Sequence, residues 1–134
     1  MSGVVKDYVQ EYRDMEENPL VAKALDFSVC VVNLYKYMRE ERHETVMSKQ
    51  ILRSGTSIGA NASEAIAAES TEDFVHKLTI SLKEANETKY WILLLHRTQF
   101  ITDNEFESIM TDCQELRKLI GSIISSTKRN QKKK

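Results

Sequence analysis

Two acid-x-x-His spacings are the first residues in this chain that could do chemistry: Glu40-Glu41-Arg42-His43 and Asp73-Phe74-Val75-His76. In carboxylate di-metal bundles, Glu-x-x-His pairs on facing helices project into a shared core and hold the metals there. The chain's helical pattern puts the first motif at the end of one helix and the second at the start of the next but one. The two poles are about 30 Å apart for a helix of some 20 residues at 1.5 Å per residue. A shared site is therefore not expected, and no metal or cofactor is assigned. Ser54-Gly-Thr-Ser-Ile-Gly59 has the small residues of a phosphate-cradling loop but lacks the lysine and the preceding strand. Ser54, Ser57 and Ser63 have no histidine close in sequence and follow no strand-to-helix elbow. Cys30 and Cys113 fall on apolar helical stripes, where cysteine acts as a small hydrophobe. Two thiols without metal spacing fit a reducing compartment. No enzymatic activity is expected from these residues.

The helices that carry these residues can be read from apolar spacing. One proline and four glycines in 134 residues favour long helices over strands and turns. Asn18-Pro19 reads as an N-cap followed by proline at the first helical position. Helix one is predicted over about 20–41, helix two over 44–69 with Val46 among its apolar contacts, helix three over 70–97 and helix four over 102–126. Ser70 or Thr71 starts helix three, and Thr102-Asp-Asn-Glu105 forms a capping box for helix four. Matched lengths and short turns predict an all-α fold: an antiparallel up-down-up-down four-helix bundle over residues 18–126. Residues 1–17 carry apolar positions at helical spacing and are a candidate short amphipathic helix. In helix one, Val21, Leu25, Val29 and Val32 widen the apolar arc to about 200°, beyond what a single core face needs. That width predicts burial against a second partner, such as another subunit.

Net charge is −1, too small to steer the whole molecule toward nucleic acid. Lys128, Arg129, Lys132, Lys133 and Lys134 put +5 in the last seven residues, which leaves −6 for the rest. This 127–134 segment is expected to be a basic disordered tail that aids solubility, with phosphate contact as the sharper reading. The N-terminus lacks a signal-peptide pattern, and the longest apolar run, Tyr90 to Leu95, is too short to span a bilayer. A cytoplasmic location without membrane partners is expected.

Helix two carries an unusual run, LRSGTSIGANASEA from Leu52 to Ala65. Gly55 and Gly59 each weaken an exposed helix by about 1 kcal/mol relative to alanine. Their compensation is expected to be close contact, so Ser54, Gly55, Ser57, Ile58, Gly59 and Asn61, with Trp91 on helix three, are candidate helix-packing or oligomer-interface residues. Positions equally far from the turn near residue 70 lie level in an antiparallel pair. Arg53 is thereby placed opposite Glu87, and Ser57 close to Glu84. Glu64, Glu84, Glu87 and Thr88 are candidates for a polar network that fixes helix register or subunit contacts; a solvated face is the simpler reading. Arg53 joins the tail cations as a candidate phosphate contact.

The same helix-two run, together with Phe74, Lys77, Leu78, Glu84, Ala85, Glu87, Thr88, Tyr90, Trp91 and Ile92, resembles a bacterial family. Its members are four-helix-bundle proteins first associated with intervening sequences in 23S ribosomal RNA genes. The resemblance covers about residues 20–125. It implies a homopentameric ring of four-helix protomers with no established enzymatic activity. Related proteins are accessory factors of diversity-generating retroelements that engage nucleic acid and a reverse transcriptase. RNA or a nucleic-acid-processing protein is therefore the implied partner, with a protein–protein adaptor or, less favoured, a carboxylate metal enzyme as alternatives.

Overall fold

Each helix begins where an oxygen acceptor meets its first free N–H groups. In the computed structural model, which describes Arg13 and residues 17–133, α1 spans Pro19–Glu40, α2 Val46–Ile66, α3 Thr71–Arg97 and α4 Asp103–Lys132. The Asn18 side-chain oxygen Oδ1 accepts from the Leu20 and Val21 amides at 3.0 and 3.2 Å. Ser70 accepts from the Asp73 amide at 3.0 Å, and Thr102 and Glu105 form the reciprocal capping box at 3.1 and 2.8 Å. Such caps contribute about 1 kcal/mol each. The start of α2 is built differently. Thr45, at the cap position, makes no side-chain cap bond. The Glu44 carboxylate instead accepts from the amides of Val46, Met47 and Ser48 at 2.7–2.9 Å, where the helix dipole favours negative charge.

The four helices form an all-α bundle in which α1 packs on α2, α2 on α3, α3 on α4, and α4 closes more loosely on α1. Short turns make successive helices antiparallel. Val31 and Met38 of α1, Ile51 and Ile58 of α2, Leu78, Ile92 and Leu95 of α3, and Leu116 and Ile120 of α4 are all fully buried in one core. At one end Arg42 fastens two turns together. Its guanidinium donates to the Gln99 and Phe100 carbonyls, each at 3.2 Å, and lies 5.3 Å from the Phe100 ring centre.

Three expectations are corrected. Helix four does not stop near Ser126; α4 continues through Lys132, so Lys128, Arg129 and Lys132 are helical rather than part of a disordered tail. Lysine, arginine and glutamine are good helix formers, and cations in a last turn complement the helix dipole. Val46, expected among the apolar contacts of helix two, faces outward. Cys30, placed on an apolar stripe, is exposed, whereas Cys113 is buried. The candidate N-terminal helix, residues 1–17, lies outside the described residues apart from Arg13 and Glu17, as does Lys134.

Candidate functional site

The two glycines of α2 face α1. A Cβ built on Gly55 would sit 2.8 and 2.9 Å from the two Val31 methyl carbons, and one on Gly59 would lie 3.4 Å from both Ala24 Cβ and Ser28 Oγ. Carbon atoms attract best at about 3.5–4.0 Å, so Gly55 sits where no side chain fits without movement. Ser54 and Ile58 are buried. These positions serve helix packing within one protomer, which accounts for two glycines in the middle of a helix.

On its other flank α2 meets α3 through a ladder of polar contacts. Arg53 holds Glu84 at 3.3 Å and also pairs with Glu87. The Trp91 indole N–H donates to the same Glu87 carboxylate at 3.1 Å, and Tyr90 meets Trp91 edge-on with ring centres 5.2 Å apart. Neighbouring carboxylates keep the Arg53 guanidinium pKa above its ordinary value, with the hydrogen bond to Glu87 the largest cause. Deeper in, the Thr88 hydroxyl donates to the Glu84 carbonyl at 2.7 Å. Its oxygen lies 2.9 Å from Ser54 Oγ, in a fully buried pair. Ser81, also buried, donates to the Ile58 carbonyl at 2.8 Å. The pairs Arg53–Glu87, Ser54–Thr88 and Ile58–Ser81 are all nearly equidistant from the turn near residue 70, so one register satisfies every rung.

The structure redistributes the other predicted site residues. Glu64 does not join Glu84 and Glu87; it pairs with Lys77 at 3.1 Å, nearer the α2–α3 turn. Ser57 makes no bond to Glu84. Its hydroxyl donates to the Arg53 carbonyl at 2.6 Å, and the Asn61 amide donates to the Ser57 carbonyl at 2.8 Å, so both satisfy their own helix. Thr88 belongs to the buried seam rather than to a surface network. Arg53, a candidate phosphate contact, has its guanidinium committed to two carboxylates.

The histidine motifs stay apart, with His43 in the α1–α2 turn and His76 in the early turns of α3 at the opposite end. His96 closes the α3–α4 turn: its Nε2 lies 2.7 Å from Asp103 Oδ1, and its ring stacks on Phe106 with centres 4.1 Å apart. Burial pushes the Cys113 thiol up to about 11, and its sulfur lies 3.6 Å from the Ala85 carbonyl. Among the described residues, no group of three or more His, Cys, Asp or Glu side chains is arranged to hold a metal, and no helix is long and apolar enough to cross a membrane.

Two residues that sequence reasoning missed matter here. Glu44 gave no signal, because glutamate is not a preferred cap. Ser81 could have been found, since it sits level with Ile58 in the same register that pairs Arg53 with Glu87. Two apolar patches also lack cover among the described residues. On α1, Leu25 is 40% and Val29 54% exposed; on α3, Tyr90 is 58% and Leu93 37% exposed. Val21, which the sequence placed with Leu25 and Val29, is buried.

The fold has a counterpart among solved structures. A crystal structure from Bacteroides thetaiotaomicron VPI-5482, described as a protein of unknown function from the S23 ribosomal protein family, is 58% identical in sequence. It superposes with a TM-score of 0.78 over 78% of this chain and 97% of that one. No curated protein matches the chain. The sequence model of the family described as 23S rRNA-intervening sequence protein matches residues 16–122, which hold the capped start of α1, the glycine contacts and the whole α2–α3 seam. The chain belongs to the 23S rRNA-intervening sequence protein family.

Proposed function

We propose that this chain is a non-catalytic, self-associating helical scaffold that binds a macromolecule in the cytoplasm. RNA is the partner that the family's name suggests. The observation that carries the reading is the pair of apolar patches exposed among the described residues, Leu25 and Val29 on α1 and Tyr90 and Leu93 on α3. The two helices sit diagonally, each packed on α2 and α4, so the patches point away from different sides of the bundle. Two different patches that meet head to tail give a heterologous contact, which closes into a ring when the rotation allows. A ring of five is the size implied by the family resemblance. The polar groups support a structural role: the seam hydroxyls are occupied by carbonyls and by one another, and Arg53 is neutralised by Glu84 and Glu87.

Sedimentation velocity of the parent and of Val29→Glu tests this. An oligomeric parent and a monomeric, fully helical variant are expected, because Val29 is exposed in the protomer and a charge there opposes only association. A monomeric parent at tens of micromolar, or a Val29→Glu protein with the parent's mass, rejects the reading.

A further inference from the structure

The acids and cations of α4 are separated along its length. Asp103, Glu105, Glu107, Asp112 and Glu115 occupy the first half, and Glu115 is the last carboxylate side chain in the sequence. Beyond it come Arg117, Lys118, Lys128, Arg129, Lys132 and Lys133, with no acid among them. Projected at about 100° per residue, Arg117, Lys118, Lys128, Arg129 and Lys132 fall within an arc of about 120°. Gly121 and Ser125 lie in the same arc. The buried residues Cys113, Leu116, Ile120 and Ile124 occupy a different arc, centred roughly 120° away. The result is one acid-free cationic stripe about 22 Å long, with small residues in its middle. A Cβ on Gly121 would meet nothing within 4 Å, so a ligand can approach the backbone there.

Among the described residues, none of these five cations pairs with a carboxylate; Arg117 and Arg129 bond only to the neutral Gln114 and Ser126 of their own helix. Glu72 and Asp73, in the first turn of α3 at the same end, leave the stripe unpaired. Dipole complementarity reaches only the last turn of a helix, so it accounts for Arg129 and Lys132 but not for Arg117 and Lys118. Helices that lie in an anionic membrane surface add buried apolar side chains to their cations; here the last apolar residue, Ile124, is turned into the core. The stripe carries no aromatic ring on which a base could stack. What remains is a row of point charges matched to a polyanion's backbone.

We propose that the outward face of the second half of α4 is a contact surface for the phosphate backbone of a polynucleotide, bound without regard to sequence. The proposal names a surface and a partner class for the binding scaffold, and in that sense it rests on that reading. The stripe itself is independent of the family match, which ends at residue 122, before three of its five cations.

Filter binding of the full chain to a mixed-sequence single-stranded RNA of about 20 nucleotides tests it. Five phosphate contacts predict a slope of log affinity on log salt of about −3.5, hence an affinity loss of about a hundredfold between 50 and 200 mM salt. Lys128→Gln/Arg129→Gln/Lys132→Gln should flatten the slope to about −1.4, a loss of about sevenfold over the same range. Lys36→Gln/Lys49→Gln/Lys83→Gln removes the same charge from exposed positions on the other three helices and should leave the parent slope unchanged. The proposal is overturned by absence of binding at 50 mM salt, by equal slopes for parent and stripe variant, by equal losses in both triple variants, or by binding to phosphatidylserine vesicles in place of RNA. Sedimentation of the same samples separates the two readings. A monomeric parent that binds RNA with the expected slope rejects assembly and supports the stripe, whereas an assembled parent that binds without that slope rejects the stripe alone.

Discussion

Replacing Gly55 with alanine should destabilise this protein, although the same change in an exposed helix stabilises by about 1 kcal/mol. The new Cβ would lie 2.8 and 2.9 Å from the Val31 methyl carbons, inside the roughly 3.5 Å at which carbon pairs begin to attract well. Val31 is fully buried, and a β-branched side chain in a helix is held near one rotamer, so its methyls cannot swing away. Relief has to come from a shift of α1 against α2. Overpacking of this kind costs about 1–3 kcal/mol. With so rigid a neighbour the upper end applies, and after the propensity gain a net loss of about 2 kcal/mol is expected. For a domain of this size that is a fall in Tm of about 8 °C. Gly59→Ala makes ordinary contacts at 3.4 Å or more, and Gly121→Ala makes none, so neither should fall below the parent and Gly121→Ala should rise by about 1 kcal/mol. Thermal melts by circular dichroism read the order directly. Val31→Ala in the Gly55→Ala background should recover part of the loss, a coupling of 1 kcal/mol or more in the double-mutant cycle. A Gly55→Ala protein that melts at or above the parent would refute the argument that α2 is glycine-bearing because α1 presses against it.

Other outcomes follow from the same contacts. Glu44→Ala strips an acceptor from three α2 amides and should cost about 1–2 kcal/mol in urea unfolding; an unchanged midpoint would show that water replaces the carboxylate without loss. Ser54→Ala and Thr88→Val should each cost about 1 kcal/mol, and the double variant less than their sum, because the second change removes a group the first has left unpaired; strict additivity would contradict the buried pair. Arg53→Ala, by contrast, should cost under about 1 kcal/mol, and less still in high salt, because its guanidinium is half exposed. The Cys113 thiol, held neutral up to about pH 11 by burial, ionises at lower pH in the unfolded chain. The folded state therefore binds more protons above about pH 9, and stability should fall as pH rises through that window. Cys113→Ala should lose this pH dependence, and an equally steep fall in that variant would assign it to other groups.

Much of this is legible in the sequence. Asn18, Ser70 and the Thr102–Glu105 box mark helix starts through chemistry local to a few residues. The Arg53–Glu87 pairing follows from counting outward from one turn. Harder to read were features that depend on what lies across the bundle. Thr88 looks like a surface hydroxyl until Ser54 is seen opposite it inside the seam. Glu64 shares a stripe with Arg53, yet its nearest cation is Lys77 on the next helix. The end of α4 was misjudged because dense positive charge suggests disorder, whereas Lys, Arg and Gln each favour helix once a bundle supplies the preceding turns. The excess apolar width of α1 is visible in the sequence, and Leu25 and Val29 are exposed among the described residues; Val21, on the same arc, reaches the core instead.

The contact between the α1 and α3 patches can be tested by complementation. Val29→Glu damages only the α1 patch and Leu93→Glu only the α3 patch, so each protein alone should be monomeric. Mixed in equal amounts, they retain one intact α1 patch and one intact α3 patch on different chains. Native mass spectrometry of the mixture should then show a one-to-one heterodimer and nothing larger. A mixture that stays monomeric, or single variants that assemble like the parent, would contradict a head-to-tail scaffold built from these two faces.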